Sequence, residues 1–271
     1  MALRLVRGTV ARNCRSSSAR DTADLGRVSA LNENIRISEI FGPTIQGEGP
    51  LIGRPSVFVR TAGCDYRCSW CDTLYAVLPN YRHEWQLMST AQVAAQVTKL
   101  AGNRPILVTL SGGNPALQPL NGVIAAGQAS GHSFALETQG SVSQPWFAML
   151  DWLILSPKPP SSGITTDWTA LEACIDAARG KPRCALKFVV FDEGDYAYAQ
   201  SVASRYPELT SYLQVGNPSP LKTTEGTDAA DIDDLMSRLR WLVGKAVEDR
   251  WFTATVLPQL HVLAWGNKRG V

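Results

Sequence analysis

No apolar run in this 271-residue sequence approaches the roughly 20 residues that a membrane-spanning helix requires. Charge of one sign is scarce too. The 26 Lys and Arg against 24 Asp and Glu leave a formal net charge of +2, too little to argue for a nucleic acid or an anionic membrane surface as partner. Histidine occurs three times, and neither His83 nor His132 stands in a motif. No repeat of fixed period appears, and no stretch reads as an interdomain linker. The Pro- and Ser-rich segment 157–163 reads as a long loop within one domain. Six cysteines, three of them tightly clustered, point to metal binding in a reducing compartment rather than to a disulfide framework. The expected location is therefore cytoplasmic. Cys14, Cys174 and Cys184 lack ligand spacing, and the latter two read as buried structural thiols.

Residues 1–33 differ from the rest. Arg4, Arg7, Arg12, Arg15 and Arg20 are interspersed with Ser16, Ser17 and Ser18, and no acid precedes Asp21. That composition fits an organellar transit peptide or a disordered N-terminal extension. The folded domain is expected over 34–271.

Within it, strand patterns fall at 35–41, 57–60, 105–110, 133–136, 152–155, 185–191, 212–215 and 252–256. A turn is expected at Gly42-Pro43-Thr44. Helical periodicity marks 90–102 with Thr90 as N-cap, then 117–129, 168–178, 193–205 and 228–247. Apolar strands alternating with helices predict an α/β single domain, a parallel sheet closing into a partial (β/α)6 barrel. Ligands of such folds collect at the carboxyl ends of strands. Polar clusters stand at those ends, including Ser111-Gly112-Gly113-Asn114, Glu137-Thr138-Gln139, Ser156-Pro157-Lys158 and Gly216-Asn217.

The densest chemistry lies in Gly63-Cys64-Asp65-Tyr66-Arg67-Cys68-Ser69-Trp70-Cys71-Asp72-Thr73. Thiolates select copper(I), zinc or iron–sulfur clusters. Structural zinc wants four ligands, and here the nearest histidine is His83. Three cysteines on a [4Fe–4S] cube leave one iron open to an exogenous chelate, whereas four-cysteine clusters are closed. A degenerate zinc knuckle is the plainer alternative.

This C-x3-C-x2-C spacing, with Trp70 before the last cysteine, resembles the radical S-adenosylmethionine (SAM) enzymes. In those enzymes SAM chelates the open iron and is cleaved by one electron to a hydrogen-abstracting 5′-deoxyadenosyl radical. With Gln46-Gly47-Glu48-Gly49, Gly53-Arg54-Pro55, Arg60, Ser111-Gly112-Gly113-Asn114-Pro115, Ser156-Pro157-Lys158, Pro258-Gln259-Leu260-His261 and the tail to Val271, the match narrows. Residues 35–271 resemble the 7-carboxy-7-deazaguanine synthase (QueE) family, and the fold implied is the radical-SAM type of partial barrel. The family is mainly bacterial, which favours the extension reading of residues 1–33.

The resemblance implies ring contraction of 6-carboxy-5,6,7,8-tetrahydropterin to 7-carboxy-7-deazaguanine with loss of ammonia, toward queuosine. Implied cofactors are a [4Fe–4S] cluster, SAM and Mg2+. Cys64, Cys68 and Cys71 would hold the cluster and Thr73 the Mg2+, since magnesium keeps few protein ligands. The pterin would meet Ile45, Gln46, Gly47, Glu48, Arg60, Ser111, His261 and the carboxylate of Val271. SAM would meet Trp70, Cys71, Asp72, Gly113, Ser156, Pro157, Lys158, Gln214, Val215, Gly216 and Asn217. Many radical SAM enzymes carry Glu where this chain has Asn114. A homodimer and an electron donor such as flavodoxin are implied as partners. The rival readings are a glycyl-radical activase and a zinc-binding interaction module.

Overall fold

In the computed structural model, residues 34–180, 182–218 and 230–271 are described. Segment 1–33, with Cys14 and the extension or transit-peptide reading, lies outside them, as does the expected start of the last helix at 228. The strands are β1 (Asn34–Ile45), β2 (Pro55–Thr61), β3 (Gln86–Ser89), β4 (Leu107–Gly112), β5 (Ser133–Thr138), β6 (Trp152–Leu155), β7 (Arg183–Val190), β8 (Thr210–Val215) and β9 (Thr255–Leu257). They form one sheet in the order β3-β1-β2-β4-β5-β6-β7-β8-β9. From β2 through β9 every neighbouring pair is parallel. The helices are α1 (Leu74–Val77), α2 (Thr90–Leu100), α3 (Asn121–Ala129), α4 (Trp168–Ala177), α5 (Glu193–Arg205), α6 (Ile232–Glu248) and α7 (Leu260–Trp265).

The expected α/β single domain is present, with an antiparallel margin that periodicity missed. β1 pairs antiparallel with β2 and with the edge strand β3. β3 is four residues with Leu87 68% exposed, so it offered no apolar run to read. The expected turn at 42–44 is instead a register shift inside β1, between Phe41 and Thr44. Gly42 there has φ +113, and a Cβ on it would lie 2.8 Å from the Ser56 carbonyl, so glycine lets the strand bend against β2. The N-cap of α2 is Ser89, one residue before the expected Thr90, and it forms a reciprocal capping box with Gln92. Asp167, Asp192 and Asp231 cap α4, α5 and α6. Pro115–Leu117 is a 3-10 turn, which delays α3 to Asn121. The last strand is shorter than 252–256, and Phe252 is 75% exposed.

Strand parity divides the two faces. Val108, Leu110, Phe134, Leu136, Leu153, Leu155, Leu186, Phe188, Val190, Leu213 and Val215 belong to the large core shared with the helices. The alternate residues Leu107, Ala135 and Ile154 meet Leu51 in a second, small cluster. Leu51 comes from a 3-10 turn (Gly49–Leu51) after β1. Burial of one such Leu or Ile side chain contributes about 1.5–3 kcal/mol. Cys174 lies in the main core and Cys184 packs against it, both as free thiols. Burial pushes each up to about 12, as structural thiols require. Among the described residues no helix is long and apolar enough to cross a membrane.

Candidate active-site cleft

Above the small inner cluster opens a cleft of about 220 Å³ at the carboxyl ends of the strands. Three elements deliver the thiol end. β2 runs into the loop that carries Cys64, Cys68 and Cys71, and all three line the cleft unpaired by disulfides. Gly112 and Gly113 at the end of β4 let that loop pack closely. A Cβ on Gly113 would collide with the Gly63 carbonyl, and one on Gly112 with the Thr61 backbone. Asn114 then donates to Asp65 of the loop, 2.9 Å, and accepts from Thr138, 2.9 Å. Asn114 is thus spent on holding the cysteine loop.

Burial raises all three thiols, Cys68 to about 11. Among the described residues no three His, Cys, Asp or Glu side chains converge on a single-ion site. A multi-iron cluster is larger than an ion and takes its thiolates further apart, so three cysteines around one cleft end fit it. Thr73 also lines the cleft, with Oγ1 3.8 Å from the Cys71 sulfur.

The same cleft has an ion-paired floor. Lys187 projects from β7, forming ion pairs with Glu48 and, at 3.0 Å, with Glu137 of β5. Gln46 Nε2 donates to Glu137 at 2.9 Å, and Gln259 Nε2 to Glu48 at 2.9 Å. Burial alone would raise the Glu48 carboxyl, but the charges of Lys187 and His261 and two donated hydrogen bonds hold it well below its ordinary 4.5. Burial would lower Lys187, yet the two glutamates hold it above 10.5. Two carboxylates on one ammonium leave the floor one negative charge in excess.

Arg60, the second-to-last residue of β2, lines the same cleft. Its Nε donates to Glu39 at 2.7 Å, and its guanidinium lies 5.6 and 5.8 Å from the Phe41 and Tyr75 ring centres. Burial opposes its charge; Tyr75, Glu39 and Asp72 outweigh that and raise its pKa. The tail folds back over the cleft. Arg269 bonds Glu39 at 3.0 Å and Glu84 at 2.8 Å, and stacks 3.8 Å over Tyr75, while Val271 lines the cleft. His261 lies on the glycine loop, where a Cβ on Gly47 would collide with its ring.

Ile45, Gln46, Gly47, Glu48, Ser111, Trp70, Asp72, Ser156, Lys158 and Asn217 line the same cleft. Trp70 is fixed by Ser161 at 2.9 Å, and Lys158 Nζ lies 5.6 Å from its ring centre. Four residues expected at SAM do not line it. Val215 belongs to the helix-side core, and Gly216 is backed by the Phe191 ring, where a Cβ would collide. Pro157 is absent from the lining. Gln214 is fully buried in register with Val189 and Leu257, its amide without a protein partner.

Comparison with known proteins decides the family. No family model matches the chain. The 7-carboxy-7-deazaguanine synthase of Bacillus cereus is 43% identical over 239 residues, covering 88% of this chain and 99% of that protein. The Bacillus subtilis enzyme of the same name is 43% identical over 246 residues, covering 89% and 100%. The chain belongs to the 7-carboxy-7-deazaguanine synthase family. It is accordingly an enzyme, a lyase. The crystal structure of QueE from Escherichia coli shares the fold, with a TM-score of 0.60 and 20% identity over 84% of this chain and 95% of that one.

Against the residues expected of a 7-carboxy-7-deazaguanine synthase, the floor shows what sequence reading missed. Glu137 had no assigned role. Lys187 passed as part of an apolar strand, although a single lysine among Ala185, Leu186, Phe188, Val189 and Val190 was itself the signal. A charge in a two-sided buried strand needs a partner. Gln259 stood in the Pro258-Gln259-Leu260-His261 motif without an assigned role, and Tyr75 carried no local signal.

Proposed function

We propose that this cleft contracts 6-carboxy-5,6,7,8-tetrahydropterin to 7-carboxy-7-deazaguanine with loss of ammonia, on the path to queuosine and related 7-deazapurines. One observation carries the reading: three unpaired thiols, an ion-paired polar floor and Arg60 line one cleft. Cys64, Cys68 and Cys71 would hold a [4Fe–4S] cluster. When bound, the cluster and SAM supply the electron and the hydrogen-abstracting radical.

The chain does the positioning. Gln46, Glu48 and Glu137 present amide and carboxylate groups that suit the donor–acceptor edge of a pterin, with Ile45 and Gly47 adding backbone groups. Lys187 keeps both carboxylates aimed and prevents their mutual repulsion. Arg60 spends Nε on Glu39 and offers its remaining N–H groups to the substrate carboxylate. Ser111, His261 and the Val271 carboxylate complete the substrate side. Trp70, Cys71, Asp72, Gly113, Ser156, Lys158 and Asn217 form the SAM side, and Thr73 offers one oxygen to Mg2+. Holding the pterin carbon against the radical source is the protein's main contribution to rate. The proposal includes a homodimer and a flavodoxin-type electron donor, both from the family resemblance.

The test is anaerobic reconstitution with iron, sulfide and dithionite, followed by SAM, Mg2+ and the carboxypterin. A 7-deazapurine product with SAM regenerated is the expected result. A brown, iron-loaded protein that cleaves SAM yet yields no 7-deazapurine refutes the substrate assignment. A colourless protein carrying one zinc refutes the cluster.

A further inference from the structure

The Gln139 side chain, at the end of β5, takes no part in the floor. It is 7% exposed and points to the thiol end. Its Nε2 donates to Asp65 Oδ1 at 2.7 Å and to the Cys64 sulfur at 3.6 Å. Asp65 carboxylate oxygens accept only, so the amide must present its NH2 group there. With one N–H on Asp65, the other is left for Cys64. Asp65 Oδ1 is itself held by Asn114 Nδ2, and Asn114 is fixed by Ser141 at 3.1 Å, Thr138 and the Ala116 N–H at 3.1 Å. Four side chains and one backbone group therefore lock the orientation of a single N–H. The Tyr66 backbone N–H adds a second donor to the same sulfur, 3.4 Å.

We propose that Gln139 is a positioning residue that sets the reduction potential of the cluster by donating an N–H to the Cys64 thiolate. The inference rests on the reading of Cys64, Cys68 and Cys71 as cluster ligands. Reduction adds one electron, taken from a low-potential external donor, and no bond breaks. The added charge spreads onto the thiolate sulfurs, where a donated hydrogen bond stabilises it more than in the oxidised state. The effect is enlarged because the donor is buried, where hydrogen bonds are electrostatically stronger. Gln139 thus makes the cluster easier to reduce, and Asp65 and Asn114 preserve the geometry at no cost in reorganisation.

The experiment is a spectroscopic redox titration of anaerobically reconstituted wild type, Gln139→Met and Gln139→Asn. The first variant keeps the length without the N–H; the second keeps the amide but falls one methylene short. Each should hold wild-type iron and sulfide and show a more negative midpoint. At a fixed potential the reduced-to-oxidised ratio should fall about tenfold for Gln139→Met, ~59 mV for a one-electron couple. If Gln139→Met does not retain iron, Gln139→Asn decides by the same shift. An unchanged or more positive midpoint with intact iron overturns the proposal. Wild type without a cluster overturns the ligand reading beneath it instead.

Discussion

At one end of the cleft, three thiols come from eight consecutive residues, Cys64 to Cys71. The polar floor draws instead on three segments, Glu48 from the loop after β1, Glu137 from β5 and Lys187 from the middle of β7, with Lys187 lying 139 positions from Glu48. The thiols are partly exposed and none is ion-paired. In the floor Lys187 is buried and forms ion pairs with Glu48 and Glu137, which are themselves only slightly exposed. A site that waits for an incoming group keeps its donors free, whereas a site that must hold a fixed shape satisfies them internally. The thiol end is therefore expected to fail in function alone, and the floor in function and stability together.

The sharpest way to separate them is Cys68→Ala. Visible colour, cluster iron and product formation should all fall to background, while the denaturant midpoint stays near wild type. A variant that loses its fold as well would erase the distinction. Lys187→Met is the converse. It leaves two carboxylates facing each other in a buried setting, and breaking a buried pair destabilises by about 3–5 kcal/mol. Chemical denaturation should show that loss with the cluster content of the folded fraction unchanged.

Glu48→Gln sharpens the comparison through pH. The Glu48 carboxyl is held below its ordinary 4.5 in the folded chain. Its contribution is therefore present above that pH and lost as the pH falls. The variant should be less stable than wild type near neutrality, and the gap should narrow as the pH drops through 4.5. Denaturant titrations at stepped pH check this, and a gap independent of pH sinks it. The smallest effect belongs to Arg269→Ala, at the rim. Partly exposed ion pairs and a cation–π contact are each worth at most about 1 kcal/mol. KM for the pterin should rise about two- to fivefold with kcat nearly unchanged.

The two ends were not equally legible. Cysteine spacing is a local pattern, and Gln46, Glu48 and Arg60 stand in short motifs beside it. Lys187 and Glu137 are scattered, and each is recognisable only beside the other. The strands they occupy are buried on both faces, so the apolar run conceals which residues alternate into the cleft. Three of the four residues expected at SAM but outside the lining show the same limit. Gln214, Val215 and Gly216 follow one another, yet strand alternation sends Val215 to the helix-side core and pairs Gln214 with Val189 on the other face. The edge strand β3 was invisible because a short exposed strand needs no apolar pattern.

By itself the chain determined the alternation of strands and helices and the three thiols on one loop. Each of these is settled by interactions within a few residues. Tertiary structure alone decided that Lys187 bridges Glu48 and Glu137 and that Asn114 braces the cysteine loop. Those contacts join distant segments, and strand order and register, which no local window contains, choose the partners.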